Sequence, residues 1–216
     1  MADNYLGRKM EEYEAQKCAS VRTRRVSLAS LLMKNRSTRG FDSSFKVRKD
    51  QLLSLVEAAR LAPTAMNQQV LRYRLVTENE ADLVLPHIRM GAALRELNLP
   101  LPGTEPNAFV VICSNKEGRF VDMDLGIATQ TILLRAVEMG LNGLCIAAFD
   151  REKITEALQL TLSPQLIIAI GRSAERIEVT DINEGESQTY YRKNGTHFVP
   201  KLRVEDLIVG DSTADK

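Results

Sequence analysis

The chain has 216 residues, 44% hydrophobic and 26% charged, a balance typical of a globular protein with a sizeable core and far from disordered or coiled-coil compositions. Its 29 basic and 28 acidic residues leave a net charge of +1, so no overall field favours nucleic acid or an anionic membrane, and any anion site must be local. Cys18, Cys113 and Cys145 are too few and too scattered for a disulfide framework or a paired metal-ligand spacing, and no stretch reaches the roughly 18 apolar residues of a membrane span. Residues 1–25 are charged and lack the apolar run of a secretion signal, so a soluble, cytoplasmic protein is expected. One domain, 26–210, is expected between an N-terminal helical arm at 1–25 and a disordered tail at 211–216.

In chain order, charges and alanines over residues 4–19 predict an exposed helix, and residues 26–33 predict a more apolar one running into Arg36. Leu52, Leu53, Val56, Ala59 and Leu61 keep a helical period over residues 50–61, and Pro63 stops that helix. Residues 62–69 then form a loop into a half-exposed edge strand at 71–76, where Leu71, Tyr73 and Leu75 alternate with Arg72 and Arg74. That arginine pair is expected to be solvated. A weaker helical pattern at 80–99 leads to a Pro- and Gly-rich loop at 100–103, a position suited to a lid. Residues 109–113 are a buried strand, 121–139 a long helix ending at Gly140, and 144–149 and 166–170 two further apolar strands separated by a helix at 151–160. This alternation predicts a mixed or parallel sheet with helices on its faces. A polar stretch at 175–188 precedes an arm at 190–209 that keeps Tyr190, Tyr191, Phe198, Leu207, Ile208 and Val209, as expected of a segment wrapping a second subunit.

Catalytic constellations are mostly absent. His87 and His197 are the two histidines, His197 reads as a surface residue of the arm, and no Gly-x-Ser-x-Gly, Walker or Gly-x-Gly-x-x-Gly motif occurs. Asp122 and Asp124, at the start of the long helix, are read as capping groups in preference to metal ligands, and Cys145 as a small buried hydrophobe. No metal site is expected. Against this background Arg36, Ser37 and Arg39 offer forked and hydroxyl donors to a phosphate or delocalised anion, and Asn67 and Gln69 add amides on a Pro-broken loop.

These segments together resemble the FMN-dependent nitroreductase family. Its opening pattern, Arg-Ser-x-Arg followed by an aromatic residue, stands here as Arg36, Ser37, Thr38, Arg39 and Phe41. Its second, Ala-x-x-Ala-Pro-Ser-x-x-Asn-x-Gln-Pro, stands as Ala59, Ala62, Pro63, Thr64, Asn67 and Gln69, with Val70 and Leu71 where Pro-Trp is common. Asp124 to Ala128 with Ala136 to Leu141 looks like the central dimer helix, and similar pieces continue through Gly143 to Asp150, Ala169 to Glu175 and the basic end around Pro200 to Asp206.

The resemblance implies an α+β, nitroreductase-like fold, a small mixed β-sheet surrounded by helices, as an intertwined homodimer with C-terminal arm exchange. It implies FMN as cofactor, NAD(P)H as electron donor, and ping-pong reduction of nitroaromatics, quinones or related small-molecule acceptors. FMN then carries the chemistry and no side chain is assigned as catalytic. Arg36, Ser37 and either Lys201 or Arg203 are expected on the phosphate, which carries about −1.5 to −2 charge at neutral pH. Arg39 is expected near the pyrimidine edge of the flavin, Asn67 and Gln69 on its ring, and Pro63, Thr64 and Ala65 near the ribityl chain or the opposite subunit's cofactor. Leu144, Ile146, Ala147 and Ala148 are expected against one ring face. Related flavin reactions, namely dehalogenation, dehydrogenation or flavin cleavage, and flavin binding without turnover are the alternatives.

Overall fold

A computed structural model describes residues 7, 9–10, 26–91 and 99–210. Gly7, Lys9 and Met10 are helical; the rest of the expected N-terminal arm, the stretch 92–98 of the weak helical pattern and the tail at 211–216 lie outside the described residues.

The first long-range element is helix α1, Leu28–Lys34. Ser27 caps its start by accepting the Ser30 N–H at 3.2 Å, and Asn142 Nδ2 holds its last turn through Lys34 O at 2.8 Å. Helix α2, Lys49–Leu61, buries Leu52, Leu55 and Ala59 and ends where Ala62, forced out of the helical region by Pro63, takes ψ 145°. Strand β1, Arg72–Val76, is the edge strand the alternation predicts. A single helical turn, α3 at Glu78–Ala81, follows, and the central strand β2, Ala108–Cys113, is buried throughout.

The long helix α4, Arg119–Glu138, leads to β3, Asn142–Ile146; a short helix α5, Arg151–Ala157, leads to β4, Pro164–Gly171. The sheet order is β1-β2-β4-β3, and every pairing is antiparallel. The expected mixed or parallel sheet is therefore corrected. β2 and β3 do run the same way, but β4 inserts between them and opposes both. The sequence signal misled because a continuous apolar strand reports burial on both faces and says nothing of direction. In β2, Ala108, Val110 and Ile112 pack under α2 and α4, while Phe109, Val111 and Cys113 pack on the other face with Phe41, Leu144, Ile146 and Ile154.

The arm forms a second, three-stranded sheet of β5, Arg176–Ile182, β6, Tyr191–Lys193, and β7, Thr196–Leu202. β6 and β7 make a hairpin through Asn194-Gly195, whose φ values of 51° and 75° suit the twist of a two-residue hairpin turn, and β5 pairs with β7 in parallel.

Candidate functional site

Residues 36–41 run from the outer edge of β3 to the segment that follows β4. A parallel bridge pairs Ser37 with Gly143, and the Thr38 N–H donates to Gly143 O at 3.2 Å. Gly143 is required there, because a Cβ would stand 2.6 Å from Leu133 Cδ2 and 2.8 Å from Ala169 O. On the far side, Thr38 Oγ1 donates to Ser173 Oγ at 3.1 Å and the Arg39 N–H to Glu175 Oε2 at 2.6 Å. Glu175 also pairs with Arg192 on β6, so one carboxylate ties the segment to the C-terminal sheet.

Pinned this way, the segment presents Arg36, Ser37 and Arg39 to a cavity of about 480 Å³ whose remaining walls are α1, α4, β3 and β7. β7 has period two, so His197, Val199 and Lys201 face the cavity together. Arg36 Nη2 donates to Leu32 O at 2.6 Å, and burial lowers its pKa from the ordinary arginine value. The Nε atoms of Arg36 and Arg39 are buried without a partner among the described residues. Among the described residues the lining holds three cations, Arg36, Arg39 and Lys201, and no carboxylate. Such a cavity selects an anion with several acceptor oxygens.

Arg39 is nearly buried; its Nη1 reaches Ser37 O at 3.2 Å and lies 3.3 Å from His197 Nε2, and its guanidinium sits 4.6 Å from the centre of the Tyr190 ring. His197 is 2% exposed, which corrects its expected place on the surface. The sequence signal for that burial is the alternation of His197, Val199 and Lys201 behind the Asn-Gly hairpin turn. Cys145 is exposed rather than buried: in β3 it alternates with Leu144 and Ile146, so its side chain meets the cavity while theirs enter the core. The surrounding chain still desolvates its thiol and pushes its pKa up.

The other expected residues lie elsewhere. Ala147 and Ala148 are exposed beyond the end of β3, where Ala148 O accepts the Arg89 N–H at 2.9 Å. Arg203 is exposed past the end of β7 and does not line this cavity, whereas Lys201 does. Pro63, Thr64 and Gln69 line a different, more apolar cavity of about 350 Å³ between α2 and α4. Their loop turns sharply, with Met66, Asn67 and Gln69 at φ of 50°, 50° and 45°, and Gln69 Nε2 donates to Asn67 Oδ1 at 3.0 Å. Asp124 holds it: one carboxylate oxygen accepts the Ala65 N–H and the other Gln68 Nε2, each at 2.8 Å. The capping role expected of Asp124 thus serves this loop and not its own helix. Arg72 and Arg74 are not simply solvated either: Arg72 Nη1 donates to Gln69 O and Leu71 O, and Arg74 pairs with Glu80.

Residues 32–109 and 96–172 match the Nitroreductase family. The chain belongs to that family. Among solved structures, this nitroreductase-family chain resembles an FMN-dependent nitroreductase from Clostridium difficile R20291, with 26% identity over 69% of this chain and 89% of that one and a TM-score of 0.56. It also shares the fold of a protein from Exiguobacterium sibiricum 255-15, assigned as a nitroreductase and solved in complex with FMN (16% identity, 69% and 90% covered, TM-score 0.57). A third likeness is to a protein from Staphylococcus epidermidis ATCC 12228 assigned as an NAD(P)H:FMN oxidoreductase (20% identity, 71% and 90% covered, TM-score 0.57). No curated protein matches. No helix among the described residues is long and apolar enough to cross a membrane.

Proposed function

We propose that this nitroreductase-family protein binds FMN in the cationic cavity and acts as an NAD(P)H-dependent oxidoreductase. One observation carries the proposal: Arg36, Arg39, Ser37 and Lys201 converge on one cavity where, among the described residues, no carboxylate lines the wall and two guanidinium Nε atoms are buried without partners. Buried donors are satisfied in the working state of a protein, and a phosphate monoester, with its about −1.5 to −2 charge and three acceptor oxygens, satisfies them. Arg36, Ser37 and Lys201 are assigned to the phosphate end. Arg39, deeper and fixed by Glu175, His197 and Tyr190, is assigned to the polar edge of the ring, where its charge favours an electron-rich flavin.

Bound FMN supplies two-electron transfer from NAD(P)H to nitroaromatics, quinones or related acceptors in ping-pong alternation. The protein's part is to bind, orient and leave one face open. Ala147 and Ala148, exposed just past β3, would be the small residues next to the ring, while Leu144 and Ile146 support that strand end from the core.

The working unit in this proposal is a homodimer. The loop carrying Pro63, Thr64, Ala65, Asn67 and Gln69 lines a cavity other than the cationic one of its own chain, and a second copy is what brings it to a cofactor. Phe120, Met123 and Ile127 form an exposed apolar stripe on α4, at 54%, 50% and 39% exposure, which suits burial against that copy. Exposed Leu207, Ile208 and Val209 suit an exchanged arm.

Purified protein is expected to be yellow, to elute as a dimer and to oxidise NADH or NADPH when menadione or nitrofurazone is supplied. Colourless protein that added FMN cannot reconstitute would overturn the proposal. Bound FMN that neither nicotinamide reduces would overturn its reductase part alone.

A further inference from the structure

His197 and Arg39 form a pair whose chemistry is fixed by donor counting. A guanidinium has no acceptor, so the 3.3 Å contact between Arg39 Nη1 and His197 Nε2 is a hydrogen bond only when Nε2 carries a lone pair. The imidazole is then neutral with its proton on Nδ1. Every element packed around His197 bears on that state. Arg39 from the 36–41 segment and Arg192 from β6 oppose a positive imidazole, Glu175 after β4 favours one, and burial opposes it most, so the pKa of His197 lies below the ordinary histidine value. Tyr190 packs on both partners, its ring 5.2 Å from the imidazole and 4.6 Å from the Arg39 guanidinium, and Arg36 and Lys201 share the cavity lining. His197 Nδ1, which carries the proton in this tautomer, is buried without a partner among the described residues, a cost that the Arg39 contact offsets.

We infer that His197 is a positioning residue for Arg39, its neutral imidazole anchoring the guanidinium at the back of the anion cavity so that the charge points at the cofactor. The inference rests on the FMN proposal above for what it positions Arg39 against, and on geometry alone for the pairing. Protonation at Nε2 would set two donors and two positive charges 3.3 Å apart, so Arg39 would leave its place as pH falls. The sign follows: the neutral imidazole is the pairing form, so the contact is complete above the ordinary histidine value of about 6.5 and is lost as pH falls through the lower folded-state value.

The test compares wild type with His197→Gln, whose amide oxygen can accept at the place of Nε2 without titrating, and His197→Leu, which offers no acceptor. FMN affinity is measured by fluorescence quenching from pH 5.5 to 8, alongside the melting temperature. At pH 7.5 His197→Gln is expected within about threefold of wild type and His197→Leu about tenfold or more weaker, the loss typical of one charge-assisted hydrogen bond. The phosphate itself takes up a proton near pH 6 in all three proteins, so the signature is a steeper weakening at low pH in wild type than in His197→Gln. Identical pH curves, or a Gln variant as weak as Leu with its melting temperature retained, would overturn the inference. Nitrogen-15 NMR of the histidines decides the pairing without FMN: Nδ1 protonated and Nε2 bare at pH 7.5 supports it, the opposite tautomer overturns it. Protein that keeps the expected tautomer but binds no FMN overturns the functional proposal alone.

Discussion

Asp124 and Ala65, 59 residues apart, are joined by a 2.8 Å hydrogen bond from the Ala65 N–H to a carboxylate that is 2% exposed. Its second oxygen takes Gln68 Nε2, so the loop behind Pro63 is moored to the middle of the molecule. Asp124→Ala leaves both part-buried donors unpaired, and a fully buried unpaired donor costs about 1–3 kcal/mol, an upper bound for each. A fall in melting temperature of several degrees is expected, at roughly 2–4 °C per kcal/mol for a chain of this size. Asp124→Asn, which still accepts from Ala65, should fall less. Equal melting temperatures for wild type and Asp124→Ala in calorimetry would sink the mooring role.

Lys201 and Arg203 separate cleanly by place, one lining the cationic cavity and the other exposed beyond β7. Lys201→Ala and Arg36→Ala are each expected to weaken FMN binding about 10- to 100-fold, and Arg203→Ala to leave it within about twofold, since charge-assisted bonds contribute about 1.5–3 kcal/mol. Isothermal titration at two salt concentrations checks this. An Arg203 variant as impaired as Lys201→Ala would move the phosphate site.

Cys145 faces the cavity with a thiol pushed above its usual pKa, so alkylation should be slow at pH 7 and accelerate as pH rises toward the thiol's pKa. Saturating FMN should slow it further. Buried Cys113, its pKa raised to about 11, should label only after unfolding. Peptide mass spectrometry after iodoacetamide treatment reads both sites. Cys145 labelling at the same rate with and without FMN would place the cofactor elsewhere.

Gly143 permits the contact on which the cradle is built. Gly143→Ala drives a methyl into Leu133 and the Ala169 carbonyl, a clash expected to cost about 1–3 kcal/mol and to loosen residues 36–38. Both a lower melting temperature and weaker FMN retention should follow. Retention unchanged in a destabilised protein would show that the bridge to Ser37 matters to the fold alone.

Met123→Glu and Ile127→Glu place charges in the apolar stripe of α4 without touching the buried side of that helix. Light scattering should then report monomers, with FMN affinity reduced because the loop of the second copy is lost. Dimers persisting in the double variant would assign the interface to another surface.

Much of this was legible in the chain. Pro63 ends α2 where expected, Leu71, Tyr73 and Leu75 mark an edge strand, and Arg36, Ser37 and Arg39, close in sequence, stand together at one cavity. What escaped depends on distant partners. The antiparallel insertion of β4 leaves no mark in its apolar run, since Ile167 and Ile168 would be buried in either direction. The burial of His197 follows from Arg39, 158 residues away. The exposure of Cys145 depends on the strand's parity, which is set by Leu144 and Ile146 entering the core on the opposite face.

The place of β4 also bears on synthesis. In chain order β2 and β3 are made before β4, the strand that pairs with one edge of each in the finished sheet. Until then those apolar edges are open templates for a neighbouring nascent chain. A chain stopped at residue 163 is accordingly expected to be recovered in the insoluble fraction. The last strand of the main sheet is therefore what makes the protein safe to crowd, quite apart from what the cavity beside it binds.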